Sequence, residues 1–259
     1  SRSLHPVLVY RTEDKNAPFA FFNDLKNDKV GLLNYPLSKH YRDKAFWQEF
    51  HAHLPLQEWK QSGSKEFDQE IERLTETFKG RTEERQKLLN FVASKQRGFF
   101  SIQGNPGIGK SALIAQFLKD LNADEQRSET QFKGLCAQAY FIRRGTAQAR
   151  PEFMLNYLNR STDEAFPEGK NIRAEDKTLY GLQQQLFSKW RAFGQQANGK
   201  KLLFLIDGLD EGIEHHILDY LPRQPFDHIL IIYGGRPGEL DAFWTDLSPE
   251  YHTSILLSG

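Results

Sequence analysis

Residues 99–118 read FFSIQGNPGIGKSALIAQFL: an apolar run, a glycine-rich loop and an amphipathic segment in direct succession. This order predicts a β-strand, a tight loop and an α-helix. The glycines let the loop backbone curl so that successive N–H groups point at phosphate oxygens. Lys110 can reach the terminal phosphates of a nucleotide, and the Ser111 hydroxyl can bind Mg²⁺. The predicted contacts of the nucleotide are Gly104, Asn105, Pro106, Gly107, Ile108, Gly109, Lys110, Ser111 and Ala112.

A second apolar run, LLFLID at residues 202–207, ends in an acidic side chain. In open parallel sheets, ligands bind at the carboxyl ends of the strands. We therefore predict that Asp207 holds Mg²⁺ together with Ser111. A solvated acid at the end of a strand is the alternative.

Two further carboxylates follow this strand, Asp210 and Glu211, after a glycine at position 208. The small residue leaves room beside the metal, so the later acids can bend back towards an attacking water. We predict Glu211 as the general base or water-orienting group, with Asp210 as the second choice. Both could instead be surface acids at the start of a helix near Gly212.

Residues 228–233, HILIIY, predict another buried strand, which is followed by Gly234, Gly235 and Arg236. If this strand lies between the other two, Arg236 is placed to contact the terminal phosphate through a charge-assisted hydrogen bond. The two glycines would permit a tight turn before the arginine. An arginine in an ordinary turn is the alternative.

Short apolar runs alternate with helical patterns from residue 98 onwards, which predicts a parallel sheet between two layers of helices, a three-layer α/β/α fold. The predicted strands are 99–103, 137–142, 202–207, 228–233 and 253–257. The predicted helices are 111–121, 151–159, 178–193, 212–221 and 240–247.

The first part of the chain differs in character, with irregular aromatic segments and few periodic runs. Residues 1–62 predict a small α+β region, with a strand at Val7–Tyr10 and a helix at 43–54. A polar linker at 61–64 separates it from a helical lead-in at 63–97, which contains helices at 67–78 and 82–94. The main domain is predicted over residues 98–259.

The composition is that of an ordinary globular protein, with 34 basic and 34 acidic residues and a formal net charge of +0. This balance argues against broad electrostatic binding to nucleic acid or an anionic membrane. The basic pairs 143–144 and 200–201 are expected to be solvated. With one cysteine, no signal-peptide pattern and no apolar run near the ~20 residues of a membrane span, we expect a cytoplasmic fragment of a longer protein.

Three stretches together resemble the NACHT branch of the STAND class of P-loop NTPases: FKGRTEERQKLLNFV at 78–92, LLFLIDGLDE at 202–211 and IIYGGRP at 231–237. The resemblance covers residues 78 to 259. It implies a five-stranded sheet in the order 5-1-4-3-2, ATP (sometimes GTP) as ligand and Mg²⁺ as cofactor. It also implies slow hydrolysis that controls self-assembly into a signalling or defence oligomer. By the same resemblance the stretch 78–81, which includes Gly80 and Arg81, lies near the base and ribose, and plain packing of these residues is the alternative.

The chain departs from that pattern in two places. Relatives usually carry hydroxyl residues before the arginine, where this chain has glycines, and the lid and winged-helix segments that normally follow the fifth strand are missing. Two other functions remain open: a scaffold module that holds nucleotide without turnover, and a DNA-linked AAA-type ATPase. The even charge balance disfavours the DNA-linked function, and nucleic acid is not an expected partner.

Overall fold

The computed structural model describes residues 7–12, 31–36, 67–125, 132–174, 176, 178–238 and 240–258. The chain divides into two units, Ser1–Ser62 and Gly63–Gly259. In the first unit, β1 (Val7–Thr12) pairs in parallel with β2 (Gly31–Pro36). The strand predicted at Val7–Tyr10 lies within β1, whereas the sequence patterns did not predict β2. The helix predicted at 43–54 and the linker at 61–64 lie outside the described residues.

The second unit alternates strands and helices in the predicted order. Its helices are α1 (Asp68–Thr75), α2 (Thr82–Ser94), α3 (Lys110–Glu125), α4 (Pro151–Ala165), α5 (Leu179–Gln196) and α6 (Asp241–Asp246). Its strands are β3 (Gly98–Gln103), β4 (Leu135–Phe141), β5 (Lys201–Asp207), β6 (Ile229–Gly235) and β7 (His252–Leu256). None of the described helices is long and apolar enough to cross a membrane.

The five strands of this unit form one parallel sheet in the order β4-β5-β6-β3-β7. If β3 to β7 are numbered 1 to 5 and the sheet is read from the β7 edge, the order is 5-1-4-3-2. The predicted strand order is therefore confirmed. Every residue of β6 is buried, so helices and loops cover both faces of the sheet at its centre. Because β6 lies between β3 and β5, the carboxyl ends of all three strands meet at one edge.

One predicted helix is wrong. Residues 212–221 form two short 3-10 segments, Ile213–His215 and Ile217–Tyr220. Between them His216 adopts the left-handed region with φ 55, which an α-helix cannot accommodate. Ile217 is buried whereas the two histidines are exposed, so the segment packs through single apolar side chains.

An aromatic cluster fixes the start of α1 beside the end of β4. The ring of Phe67, which is 5% exposed, lies 5.4 Å from the rings of Tyr140 and Phe141 and 5.6 Å from that of Tyr157. The contacts are edge-to-face, the arrangement that aromatic quadrupoles favour. The lead-in helix is therefore anchored next to the edge of the sheet at which β4 ends.

Candidate functional site

A cavity of about 280 Å³ lies at the carboxyl ends of β3, β5 and β6. It brings together residues from the glycine-rich loop, from the segment after β5 and from the end of β6. Its lining residues are Leu74, Pro106, Gly107, Gly109, Lys110, Ser111, Ala112, Asp207, Gly208, Asp210, Glu211 and Arg236. The sequence-predicted groups from three separate segments therefore share one cavity.

The glycine-rich loop has the backbone conformation that its sequence requires. Gly107 (φ 77) and Gly109 (φ 98) both lie in the left-handed region, which glycine adopts without strain. Helix α3 begins at Lys110, whose Nζ donates hydrogen bonds to the carbonyls of Gly104 (2.7 Å) and Asn105 (3.1 Å). The side chain thus folds back over its own loop.

Lys110 is almost fully buried, with 9% of its surface exposed. Burial lowers the pKa of its ammonium group, and the negative charges of Asp210 and Asp207 act in the opposite direction. A cation in this position attracts an anionic ligand strongly because little water screens it.

Asp207, at the end of β5, is 1% exposed. Burial raises the pKa of its carboxyl group, while the Ser111 hydroxyl and the charge of Arg143 oppose the rise. Its Oδ1 atom accepts no hydrogen bond from any described residue. A buried carboxylate oxygen without a partner, near a serine hydroxyl and beside a cavity, suits a hard divalent cation.

Asp210 is also buried, but both of its oxygens have partners. Oδ2 forms an ion pair with Nε of Arg236 at 2.8 Å, and Oδ1 accepts a hydrogen bond from the backbone N–H of the same residue at 3.2 Å. Asp210 therefore orients Arg236 at the edge of the cavity.

Glu211 is half-buried and faces the cavity beside the end of β4. Its Oε2 accepts a hydrogen bond from the backbone N–H of Arg144 at 2.9 Å, and its Oε1 lies 3.9 Å from Nη1 of Arg143. The expectation of a solvated basic pair at 143–144 is wrong for Arg143, which is half-buried and ion-paired, whereas Arg144 is exposed. Because β4 and β5 pair with Phe141 opposite Asp207, the chain after β4 reaches the acidic end of β5.

The glycines near the acidic side chains permit close approach of neighbouring chain segments. A Cβ at Gly234 would overlap Oδ1 of Asp207, and one at Gly235 would overlap Leu240. Both residues belong to β6, so the tight turn predicted at this position is wrong. Gly208 lines the cavity, and a Cβ there would lie 2.6 Å from the carbonyl oxygen of Ile142.

Gly80 and Arg81 do not line the cavity, although Arg81 contacts the glycine-rich loop. Its Nη2 donates to the carbonyl of Ile108 at 3.2 Å, and its Nη1 donates to the carbonyl of Ser258 at 2.9 Å. Nη1 also pairs with Glu84 at 2.9 Å. Arg81 thus ties the loop to the segment after β7.

Comparison with known proteins gives one family match, to the model described as AAA ATPase domain, over residues 77–232. No curated protein matches the sequence. Solved structures that match include the ADP form of the Aeropyrum pernix ORC2 protein, with a TM-score of 0.40 and 13% identity over 71% of this chain and 52% of that one.

Two structures of Drosophila ORC with Cdc6 also match, one bound to poly(dA/dT) DNA and one to AT-rich DNA. Their TM-scores are 0.38 and 0.39, each at 11% identity. The matches cover 85% and 87% of this chain and 34% and 35% of those chains. The chain therefore spans about half the length of the archaeal protein that it matches and about a third of the length of the insect chains.

Proposed function

This chain belongs to the AAA ATPase domain family, and we propose that it binds ATP with Mg²⁺ and hydrolyses it slowly to control the assembly of a larger signalling or defence protein. The observation that carries the proposal is the cavity, where Lys110, Asp207 and Arg236 meet although they come from distant parts of the chain. GTP, which offers the same phosphates, is the alternative ligand.

The glycine-rich loop would bind the phosphates through its backbone N–H groups, with the N-terminus of α3 adding positive potential. Lys110 would exchange its contacts with the carbonyls of Gly104 and Asn105 for phosphate oxygens. Ser111 and Asp207 would hold Mg²⁺, which neutralises phosphate charge when bound. The unpaired Oδ1 atom of Asp207 supports this assignment.

Glu211 is our candidate for orienting the attacking water, because it is half-buried and faces the cavity. Its Oε2 accepts a hydrogen bond from the Arg144 amide, which holds the carboxylate at the cavity. Asp210, the second choice, is better explained as the group that positions Arg236, since both of its oxygens already bind that residue. Arg236 would then contact the terminal phosphate.

The switch function rests on the resemblance to the NACHT branch. It is consistent with a site whose cations are held by the protein itself: Lys110 by loop carbonyls and Arg236 by Asp210. Binding a triphosphate would exchange these internal contacts for contacts to the ligand. Such an exchange is how a nucleotide can favour one conformation over another.

The proposal is tested by measuring ATP affinity and phosphate release for the wild type, Glu211→Gln and Asp210→Asn. The matched control is Glu214→Gln, which alters an exposed glutamate three residues away. We expect Glu211→Gln to retain ATP affinity and to lose turnover by a factor on the order of 100, while the control behaves as wild type. Turnover that persists in Glu211→Gln and falls in Asp210→Asn would reverse the two assignments.

Two outcomes would count against the proposal as a whole. A wild type that binds ATP and releases no phosphate above the Lys110→Ala background would indicate the scaffold function. A wild type that binds no nucleotide would remove the proposed function.

A DNA-linked AAA ATPase is the second candidate, and membership of the AAA ATPase domain family is what favours it. Fluorescence anisotropy with labelled single-stranded and duplex oligonucleotides, over a series of salt concentrations, separates the two functions. Binding that weakens steeply as salt rises would favour the DNA-linked function. No binding at low salt would favour the switch.

A further inference from the structure

Arg143, which follows β4, connects helix α1 to Asp207, the carboxylate to which the Mg²⁺ role is assigned. Its Nε and Nη2 atoms lie 2.9 and 2.6 Å from Oε1 of Glu70, on α1. Its Nη1 atom lies 3.4 Å from Oδ2 of Asp207 and also donates to the carbonyl of Ile142 at 2.9 Å. One guanidinium therefore spans two carboxylates that are 137 positions apart in the chain, counted as 207 − 70.

The buried Asp207 carboxylate needs a neighbouring positive charge to remain ionised. Among the described residues, Arg143 forms its only ion pair. The other nearby cation, Lys110, directs its Nζ at loop carbonyls. Arg143 therefore supplies the closest positive charge at the carboxylate to which the magnesium role is assigned.

Glu70 contacts Arg143 from outside the region of the family match. It lies on α1, before the first residue of the family match at 77, and α1 is anchored to the end of β4 by the Phe67 cluster. The two short contacts of Glu70 engage one side of the guanidinium and leave Nη1 facing Asp207. A displacement of α1 would thus move the positive charge of Arg143 relative to the Asp207 carboxylate.

We propose that Arg143 is the counter-ion of Asp207 in the nucleotide-free protein and that Mg²⁺ competes with Arg143 for the Asp207 carboxylate. Glu70, which binds the same guanidinium from α1, weakens the attraction of Arg143 to Asp207 and so favours Mg²⁺. The first part concerns the protein alone, and the competition rests on the proposed function. The position of α1 would then set how much Mg²⁺ the site requires.

The expected signs follow from electrostatics. Mg²⁺ and a guanidinium that share one carboxylate repel each other, so removal of the guanidinium charge favours the ion. We expect Arg143→Gln to lower the half-saturating Mg²⁺ concentration for nucleotide binding roughly fivefold. Glu70→Gln removes the negative charge that offsets Arg143, and we expect it to raise that concentration roughly threefold.

The competition is measured by titrating a fluorescent ADP derivative into the wild type and the variants at a series of MgCl₂ concentrations. Arg73→Gln is the matched control, because Arg73 lies 3.9 Å from the same Glu70 carboxylate but is mostly exposed. It should leave the Mg²⁺ requirement unchanged. Arg143→Lys, which keeps the positive charge, should lie closer to the wild type than Arg143→Gln does.

Shifts of opposite sign in the Arg143 and Glu70 variants would support the proposal. An unchanged or raised Mg²⁺ requirement in Arg143→Gln would overturn it, as would a lowered requirement in Glu70→Gln. Glu70→Gln retains Arg143, so it tests the competition even if Arg143→Gln fails to fold.

A thermal-unfolding cycle without nucleotide or Mg²⁺ separates this inference from the proposed function. The cycle compares the wild type, Arg143→Gln, Asp207→Asn and the double variant. We expect the Tm changes to be non-additive by about 2–4 °C, since the two side chains interact. Additive changes would overturn the counter-ion role. A wild type that binds no nucleotide would overturn the proposed function and the competition, while the cycle would still decide the counter-ion role.

Discussion

The cavity has a phosphate side, formed by the glycine-rich loop and Lys110, and an acidic side, formed by Asp207, Asp210 and Glu211. On the phosphate side, Lys110 forms its two hydrogen bonds with carbonyls only five and six residues earlier in the chain. On the acidic side, Arg143 contacts Asp207 across 64 residues and Glu70 across 73, and Glu211 accepts a hydrogen bond from an amide 67 residues away. The first side is a local structure encoded by one continuous segment. The second exists only when the sheet has its correct strand order. Mutations that disturb packing should therefore affect the acidic side first.

The largest expected effect is on the phosphate side. Lys110→Ala removes a nearly buried cation, and we expect the affinity for ATP to fall about 100-fold, since hydrogen bonds to charged groups contribute on the order of 1.5–3 kcal/mol. Isothermal titration calorimetry measures the change, with Lys87→Ala, at an exposed lysine on α2, as the control. An affinity within threefold of the wild type would show that the loop does not use this lysine for phosphate.

Gly234→Ala should damage the acidic side and spare the phosphate loop. Its Cβ would overlap Oδ1 of Asp207 and lie 2.9 Å from Cδ1 of Ile114, so we expect the free energy of unfolding to fall by about 1–3 kcal/mol. The variant should lose the Mg²⁺-dependent part of its nucleotide affinity but retain the affinity measured in EDTA.

Gly235→Ala is the matched control for this prediction. Its Cβ would meet the side chain of Leu240, so it should destabilise the protein while leaving the response to Mg²⁺ intact. If both variants lost the Mg²⁺ response equally, general destabilisation would explain the result.

The smallest effect is expected for Asp210→Asn. The substitution weakens the 2.8 Å contact with Nε of Arg236, whose side chain is 34% exposed, so solvent screening limits the coupling to about 1 kcal/mol. A double-mutant cycle with Arg236→Gln, followed by thermal unfolding, measures it. Fully additive changes would mean that Asp210 does not position Arg236.

Several features could be predicted from sequence because short-range chemistry determines them. The strand, loop and helix around Lys110 follow from the apolar run, the glycines and the helical pattern in one segment. The order of the five strands also agrees with the structure, although it came from a resemblance and not from the residues alone. The prediction of a helix at 212–221 was wrong because the apolar spacing gave no sign that His216 adopts the left-handed region.

The sequence patterns gave no sign of the acidic-side partners. Arg143 and Arg144 looked like a solvated pair because nothing in their neighbourhood indicated a charged partner. Strand pairing brings them to the end of β5, and the Phe67 cluster brings Glu70 to the same place. Similarly, Gly234 and Gly235 have the composition of a turn, but the approach of Asp207 explains the first of them.

The sequence by itself determined the phosphate loop, the alternation of strands and helices, and the position of Asp207 at a strand end. Each depends on residues close together in the chain, where backbone geometry and apolar periodicity act directly. Only the tertiary structure decided which charges face one another. Electrostatic partners depend on distance in space, and the parallel crossover connections bring together segments that are far apart in the chain.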